Sequence, residues 1–188
     1  LTLRADIGGE DVRRSYSICS APHEEILRVA VKRVPDGRFS TFANDRLRPG
    51  DQLEVMPPMG NFTLALSPEN QAHYVAFAAG SGITPILSLI KNVLHTEPNS
   101  QFTLFYGNRT VDSIIFRDEL EDLKNTYLGR LSVHHVLSRE NMGSRLFGGR
   151  IDAEKCGAFC DLITPPDTVD QWMLCGPESM IFTIQGTL

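Results

Sequence analysis

A chain of 188 residues is long enough for one large domain or two small ones, each with a core of its own. Its 41% hydrophobic and 22% charged residues are ordinary for a globular protein in water, and a net charge of −5 excludes the basic footprint of a nucleic-acid binder. No apolar run is long enough to span a bilayer, so no membrane role is expected.

The first 68 residues read as β-rich. Leu1, Leu3 and Ala5 alternate with polar neighbours, as do Tyr16 and Ile18, and then Leu27, Val29 and Val31. Such alternation places one set of side chains on one face of a strand. Pro35-Asp36-Gly37 is turn chemistry. A short helix is expected from an N-cap at Ser40 through Leu47, stopped near Pro49-Gly50, with a further strand at Leu53 and Val55. Short strands divided by turns predict an antiparallel barrel or sandwich. Because the chain opens inside an alternating segment, that barrel is expected to be incomplete at its N-terminus.

After Ser67-Pro68 strands and helices take turns. A buried strand over 74–79 runs into the glycine turn Gly80-Ser81-Gly82 and a helix expected to start with Thr84 as N-cap and Pro85 at the first helical position. Ile86, Leu89, Ile90 and Val93 give that helix one apolar face. A strand at 102–106 leads to a helix near 112–126, with Phe116, Leu120, Leu123 and Tyr127 on its inner side. A strand at 131–137, a loop holding Gly143, Gly148 and Gly149, a helix from Asp152, a strand at 171–175 and a helix from Pro177 complete the chain. This interleaving predicts an open α/β domain with a parallel sheet over 69–188, cut short at its C-terminus.

Several clusters carry chemistry. Two glycines at 80 and 82 let the backbone approach a ligand, and the helix behind them offers free N–H groups and a partial positive charge to an anion; a plain tight connection is the alternative. Arg14-Ser15-Tyr16-Ser17 combines a phosphate grip, a flat stacking ring and a small donor. Gly37-Arg38-Phe39-Ser40-Thr41 sets hydroxyls at a helix start, a second anion site or an ordinary cap. Gly107-Asn108-Arg109 and Ser138-Arg139 follow two parallel strands, the edge at which open sheets bind ligands. Cys175-Gly176-Pro177 follows the last strand. Cys19, Cys156, Cys160 and Cys175 show no C-x-x-C pair, zinc spacing or disulfide framework, so free thiols in a reducing, cytoplasmic setting are expected and no metal site is predicted.

Taken in order, Arg14 to Ser17, Gly37 to Thr41, Gly80 to Pro85, Tyr106 to Arg109, Ser138-Arg139-Glu140 and Cys175 to Pro177 resemble the ferredoxin–NADP⁺ reductase superfamily, over nearly the whole chain. Within it the likeness is to the class IA oxygenase reductases, the phenylacetyl-CoA oxygenase branch in particular. The resemblance implies FAD, with Tyr16 stacked on its ring, Ser17 near the hydride-accepting nitrogen, Arg14, Gly37, Ser40 and Thr41 at its pyrophosphate, and Ala30, Val31 and Lys32 along its ribityl and adenosine part. It implies NADP at Gly80, Gly82 and Thr84, with Ser138 and Arg139 on the 2′-phosphate, Arg109 nearby, and Cys175 with Gly176 where nicotinamide meets flavin; Tyr16, Ser17 and Cys175 are its catalytic group. Phe147 stands where plant-type relatives carry a tyrosine. The implied activity is hydride transfer from NADPH to FAD, then electron transfer through a [2Fe–2S] centre to an oxygenase partner. The C-x₄-C-x₂-C ligands of such a cluster are not in this sequence and are expected in a missing C-terminal domain. A flavohaemoglobin-type or free-flavin reductase, or a non-catalytic dinucleotide-binding module, are the alternatives.

Overall fold

The computed structural model describes residues 1–188, which divide into two compact units, Leu1–Leu64 and Ala65–Leu188. In the first, β1 (Thr2–Asp6) lies between β2 (Asp11–Ser15) and β3 (Glu54–Met56) in an antiparallel sheet of order β2-β1-β3. The hairpin between β1 and β2 turns through Gly8 and Gly9, both at positive φ (68° and 82°), a conformation side chains disfavour. The alternation seen in the sequence puts Leu3 and Val12 inward, where they meet Phe39 of helix α1 (Arg38–Asp45). Leu1, Ala5, Tyr16, Val29 and Leu53 line this core and are only partly buried.

The expected antiparallel β architecture is therefore present, but its strands are shorter than the alternation predicts. β2 stops at Ser15; Tyr16 still pairs with Leu1, donating to its carbonyl at 2.8 Å and accepting from its amino group at 2.9 Å. The expected strands around Ile18 and Val29 reduce to one antiparallel bridge. Pro22, which cannot donate to a ladder, opens a single 3₁₀ turn (Pro22–Glu24) soon after Ile18. Helix α1 also begins earlier than expected. Gly37 caps it, and Ser40 lies inside the first turn, its hydroxyl accepting from Val34 N at 3.1 Å and donating to Gly37 O at 3.1 Å. A side chain at position 37 would put a Cβ 2.5 Å from that hydroxyl, so glycine is the residue that lets Ser40 close the loop.

In the second unit, β4 (His73–Ala79), β5 (Gln101–Asn108), β6 (Leu131–Leu137) and β7 (Gln171–Cys175) are all parallel, in the order β6-β5-β4-β7. β4 and β5 are central and nearly continuous in apolar residues, as strands covered on both faces must be. Phe105 stacks between Phe77 at 4.9 Å and Phe159 of α4 (Ala153–Leu162) at 4.3 Å, beside Val136 and Ile184 of α5 (Glu178–Gln185). Helix α2 (Ile83–Thr96) packs on β4, β5 and β7 through the expected Ile86, Leu89, Ile90 and Val93, all buried.

Two helix starts depart from expectation. A 3₁₀ turn over Gly80–Gly82 feeds α2 directly at Ile83, so Thr84 is already helical and caps nothing; its hydroxyl donates back to Ser81 O at 2.9 Å. The segment expected as one helix from 112 is a 3₁₀ turn (Val111–Ser113) followed by α3 (Arg117–Thr126). Ser113 ends the first piece by accepting from Thr110 N at 3.0 Å, and Phe116, left-handed at φ 61°, precedes α3 instead of joining its apolar face.

At the amino edge of the sheet stands a polar knot that no periodicity announces. Glu97, fully buried, accepts from Ser67 N, Asn70 Nδ2, the Tyr74 hydroxyl and the Ser100 hydroxyl at 2.6–3.2 Å. Arg130 donates to the carbonyls of Leu94, Glu97 and Ser100, satisfying the open C-terminus of α2 with a cation. No helix of the structure is long and apolar enough to cross a membrane.

Candidate functional site

Because β4 to β7 are parallel, their carboxyl ends share one edge, and every residue singled out in this unit lies there. Gly80 leaves β4 in the left-handed region at φ 53°. Gly82 follows it with no room for a side chain: a Cβ would lie 2.0 Å from Cys175 O and 3.0 Å from Gly176 N. Gly176 is close-packed but less so, with a Cβ placed 2.7 Å from the Met180 methyl and 3.2 Å from Ala79 N. The glycine turn and the end of β7 are thus packed backbone to backbone, which brings Gly80, Gly82, Cys175 and Gly176 together at the start of α2, where Ile83 N–H donates to Gly80 O and Ser81 O.

The arginines flank this turn along the same edge. The β5–β6 ladder continues past both strand ends, with Ser138 N donating to Asn108 O and Arg139 N to Arg109 O, each at 2.9 Å. Arg109 and Arg139 are exposed and adjacent, while Glu140 turns its carboxylate to Val111 N at 2.7 Å. Cys175 is half-buried, and burial pushes its thiol up from the ordinary value, so it stays a neutral thiol. Thr84 is buried with its hydroxyl committed to Ser81, which leaves its place in the first turn of α2 as its contribution. Tyr106 carries no role in the sequence reading, yet its hydroxyl donates to Gly80 O at 3.0 Å. A signal for it exists in the sequence: a phenol within an apolar strand needs a buried partner.

The first unit gathers its own set. The single bridge between Ile18 and Val29 joins the segment that carries Tyr16 and Ser17 to the one that carries Ala30, Val31 and Lys32, and Asn44 Nδ2 ties Val31 O to α1 at 3.2 Å. The Tyr16 ring is seated 5.7 Å from Phe39, which fixes it from below. Burial raises the Tyr16 phenol, and the nearby charge of Arg14 offsets part of that rise. Arg4 and Arg13 both hold Asp11, and Arg38 holds Glu10. Arg14 instead donates only to the carbonyl of its neighbour Arg13, at 2.7 Å, and remains exposed. Ser17, Lys32 and Thr41 are exposed as well, while Gly37 and Ser40 form the closed start of α1. An arginine without a carboxylate, a ring on a fixed base and a helix start suit an anion attached to a flat ligand.

An oxidoreductase FAD-binding domain matches residues 1–64, and an oxidoreductase NAD-binding domain matches residues 77–186. The chain belongs to the FAD- and NAD-binding oxidoreductases of the ferredoxin reductase type. It is 46% identical over 181 residues to one component of the 1,2-phenylacetyl-CoA epoxidase of Escherichia coli, covering 96% of this chain and 51% of that protein. With the ferredoxin reductase component of 3-ketosteroid-9-alpha-monooxygenase from Rhodococcus rhodochrous it shares 36% over 192 residues, covering all of this chain and 50% of the relative. The chain therefore spans about half the length of these relatives. A ferredoxin–NADP⁺ reductase variant from Plasmodium falciparum has the same fold at a TM-score of 0.81 and 22% identity, covering 100% of this chain and 76% of that one.

Proposed function

We propose that this chain is the flavin and nicotinamide module of an oxygenase reductase: it takes a hydride from NADPH onto FAD. The observation that carries the reading is the clasp of Gly82 on the Cys175–Gly176 peptide. That clasp leaves no room for a side chain and fixes the glycine turn against the end of β7, at the edge where the start of a helix suits a diphosphate. Residues 69–188 hold the dinucleotide, through Gly80, Gly82, Thr84 and Gly176, with Ser138, Arg139 and Arg109 toward its 2′-phosphate. Residues 1–68 hold FAD, with Tyr16 against the ring, Ser17 as a hydrogen-bond donor to it, Ala30, Val31 and Lys32 along its length, and Arg14, Gly37, the Ser40 N–H and Thr41 at its pyrophosphate.

Bound flavin supplies the redox chemistry, and the protein supplies alignment and a dry contact. The residues here fit that division. Ser17 donates a hydrogen bond without titrating, and Cys175 as a neutral thiol excludes water without offering a competing nucleophile. No side chain of the set has to carry a proton. By analogy with the reductase components that this chain resembles, an oxygenase component would be the acceptor; a [2Fe–2S] centre, for which this chain has no C-x₄-C-x₂-C ligands, would supply the one-electron chemistry between them, and the cytoplasm is the proposed setting.

The test is optical. Titrating FAD into the full chain should give a bound-flavin spectrum, and adding NADPH without oxygen should bleach it. A chain that binds no flavin, or whose flavin neither NADPH nor NADH bleaches, would sink the proposal.

A further inference from the structure

We infer that Tyr106 is a positioning residue for the dinucleotide turn, its hydroxyl fixing the Gly80 carbonyl and so the direction of the N–H groups that follow. The inference rests on the reading that this turn receives a dinucleotide. Tyr106 lies on β5 opposite Ala78 of β4, two residues before Gly80, and is fully buried. Its ring is boxed in on the β6 side by His135, 5.9 Å away. Burial pushes the phenol up to about 12, so it remains a protonated donor throughout the working pH range. Its proton goes to Gly80 O at 3.0 Å.

The carbonyl so held belongs to the one residue of the turn at positive φ. Nothing lies within 4 Å of a Cβ built on Gly80, so crowding does not impose its left-handed conformation. The turn is instead held from two sides. β7 clamps Gly82 by close packing, and β5 clamps Gly80 by this hydrogen bond. Asn108, nine-tenths buried on the same strand, brings its amide to the Tyr106 hydroxyl, close enough to lower the phenol somewhat. Its Nδ2 nonetheless makes no hydrogen bond of ordinary geometry; the backbone of Ile115 also lowers the phenol, and the hydroxyl's own proton goes to Gly80 O. A phenylalanine at 106 would keep the packing, take the hydroxyl away from the Ile115 backbone, and leave the Gly80 carbonyl to the N–H of Ile83 alone.

The experiment compares the full chain with Tyr106→Phe, Gly80→Ala and the double variant, by calorimetric titration with NADP⁺ and NAD⁺ and by amide hydrogen exchange without ligand. Tyr106→Phe should weaken both dinucleotides alike, about three- to tenfold, the worth of one neutral hydrogen bond. Exchange at Ser81, Gly82 and Ile83 should quicken, with amides of β5 itself unchanged. Gly80→Ala should weaken binding too, and the double variant should be no worse than the weaker single, because both act through one carbonyl. Unchanged affinity with unchanged exchange, or strictly additive losses, would overturn the inference. If the wild-type chain bound neither dinucleotide, the functional reading would fall, while the exchange comparison would still decide whether Tyr106 holds the turn.

Discussion

In the Ala65–Leu188 unit, four parallel strands bury long apolar stretches, and the candidate binding edge is made largely of backbone: Gly82 and Gly176 held by packing, and Gly80 by the Tyr106 hydroxyl. In the Leu1–Leu64 unit, three strands share a core centred on Leu3, Val12 and Phe39, and the candidate site is made of side chains: Arg14, Tyr16, Ser17, Lys32 and Thr41. The contrast is between a cradle finished before its ligand arrives and a set of groups that a ligand must gather. A ligand that binds only the folded state stabilises it by mass action. Flavin should therefore add more to the thermal stability of the first unit, relative to what that unit has alone, than NADP⁺ adds to the second.

The largest effect that could break this comparison is at Phe39, 1% exposed, which anchors α1 and supports the Tyr16 ring at 5.7 Å. Phe39→Ala should cost about 3–5 kcal/mol, a large share of a small domain's stability. Calorimetry should show the first unit's transition collapse while the second's stays, with flavin retention lost. A single transition shifted as a whole would mean that the two stabilities are coupled and the contrast is false.

A smaller effect belongs to the second unit. Burial alone would raise the Glu97 pKa, but hydrogen bonds from Ser100, Asn70, Ser67 and Tyr74 outweigh it and hold the carboxyl below its ordinary 4.5. A folded-state pKa below the unfolded one adds stability that is complete above about pH 4.5 and disappears as pH falls through the folded value. Glu97→Gln turns an amide toward hydroxyl donors and should cost about 1–3 kcal/mol at neutral pH. Denaturant unfolding of the second unit should show that gap narrowing below pH 4.5. A gap independent of pH would mean that Glu97 contributes shape and not charge.

The same contrast explains what can be read from residues alone. β4 to β7 are legible because buried parallel strands are continuous apolar runs and their helices carry a clear period, as Ile86, Leu89, Ile90 and Val93 do. The glycine turn is legible as a motif, but the cause of each glycine is not: that Gly82 meets Cys175, some ninety positions on, is known only from the sheet order. Thr84 and Ser40 mislead as caps for a related reason. A hydroxyl near a helix start is a good cap in general, but here an earlier glycine begins each helix and the hydroxyl bonds inward. The strands around Ile18 and Val29 look longer in the sequence than they are, because alternation measures which faces are apolar, not whether a partner strand runs alongside. Glu97 and Arg130 leave no trace, since a buried charge satisfied from 30 residues away has no local pattern.

The smallest expected effect tests whether a side chain in the preformed half acts alone. Arg139 has its backbone fixed, its N–H bonded to Arg109 O at 2.9 Å beyond the ends of β5 and β6, while its guanidinium is exposed. Removing the side chain should leave the turn, the sheet and the melting temperature as they were. An exposed charge is screened, so its grip on a phosphate should be worth about tenfold or less, even in bidentate geometry. Arg139→Ala should accordingly raise the KM for NADPH by up to about tenfold, leave the KM for NADH nearly unmoved, and flatten the salt dependence of the NADPH value. An equal rise for both cofactors would take Arg139 away from the 2′-phosphate and make it part of the cradle that both share. The second unit would then depend on a gathered side chain as the first does, and the distinction between the two halves would narrow to their cores.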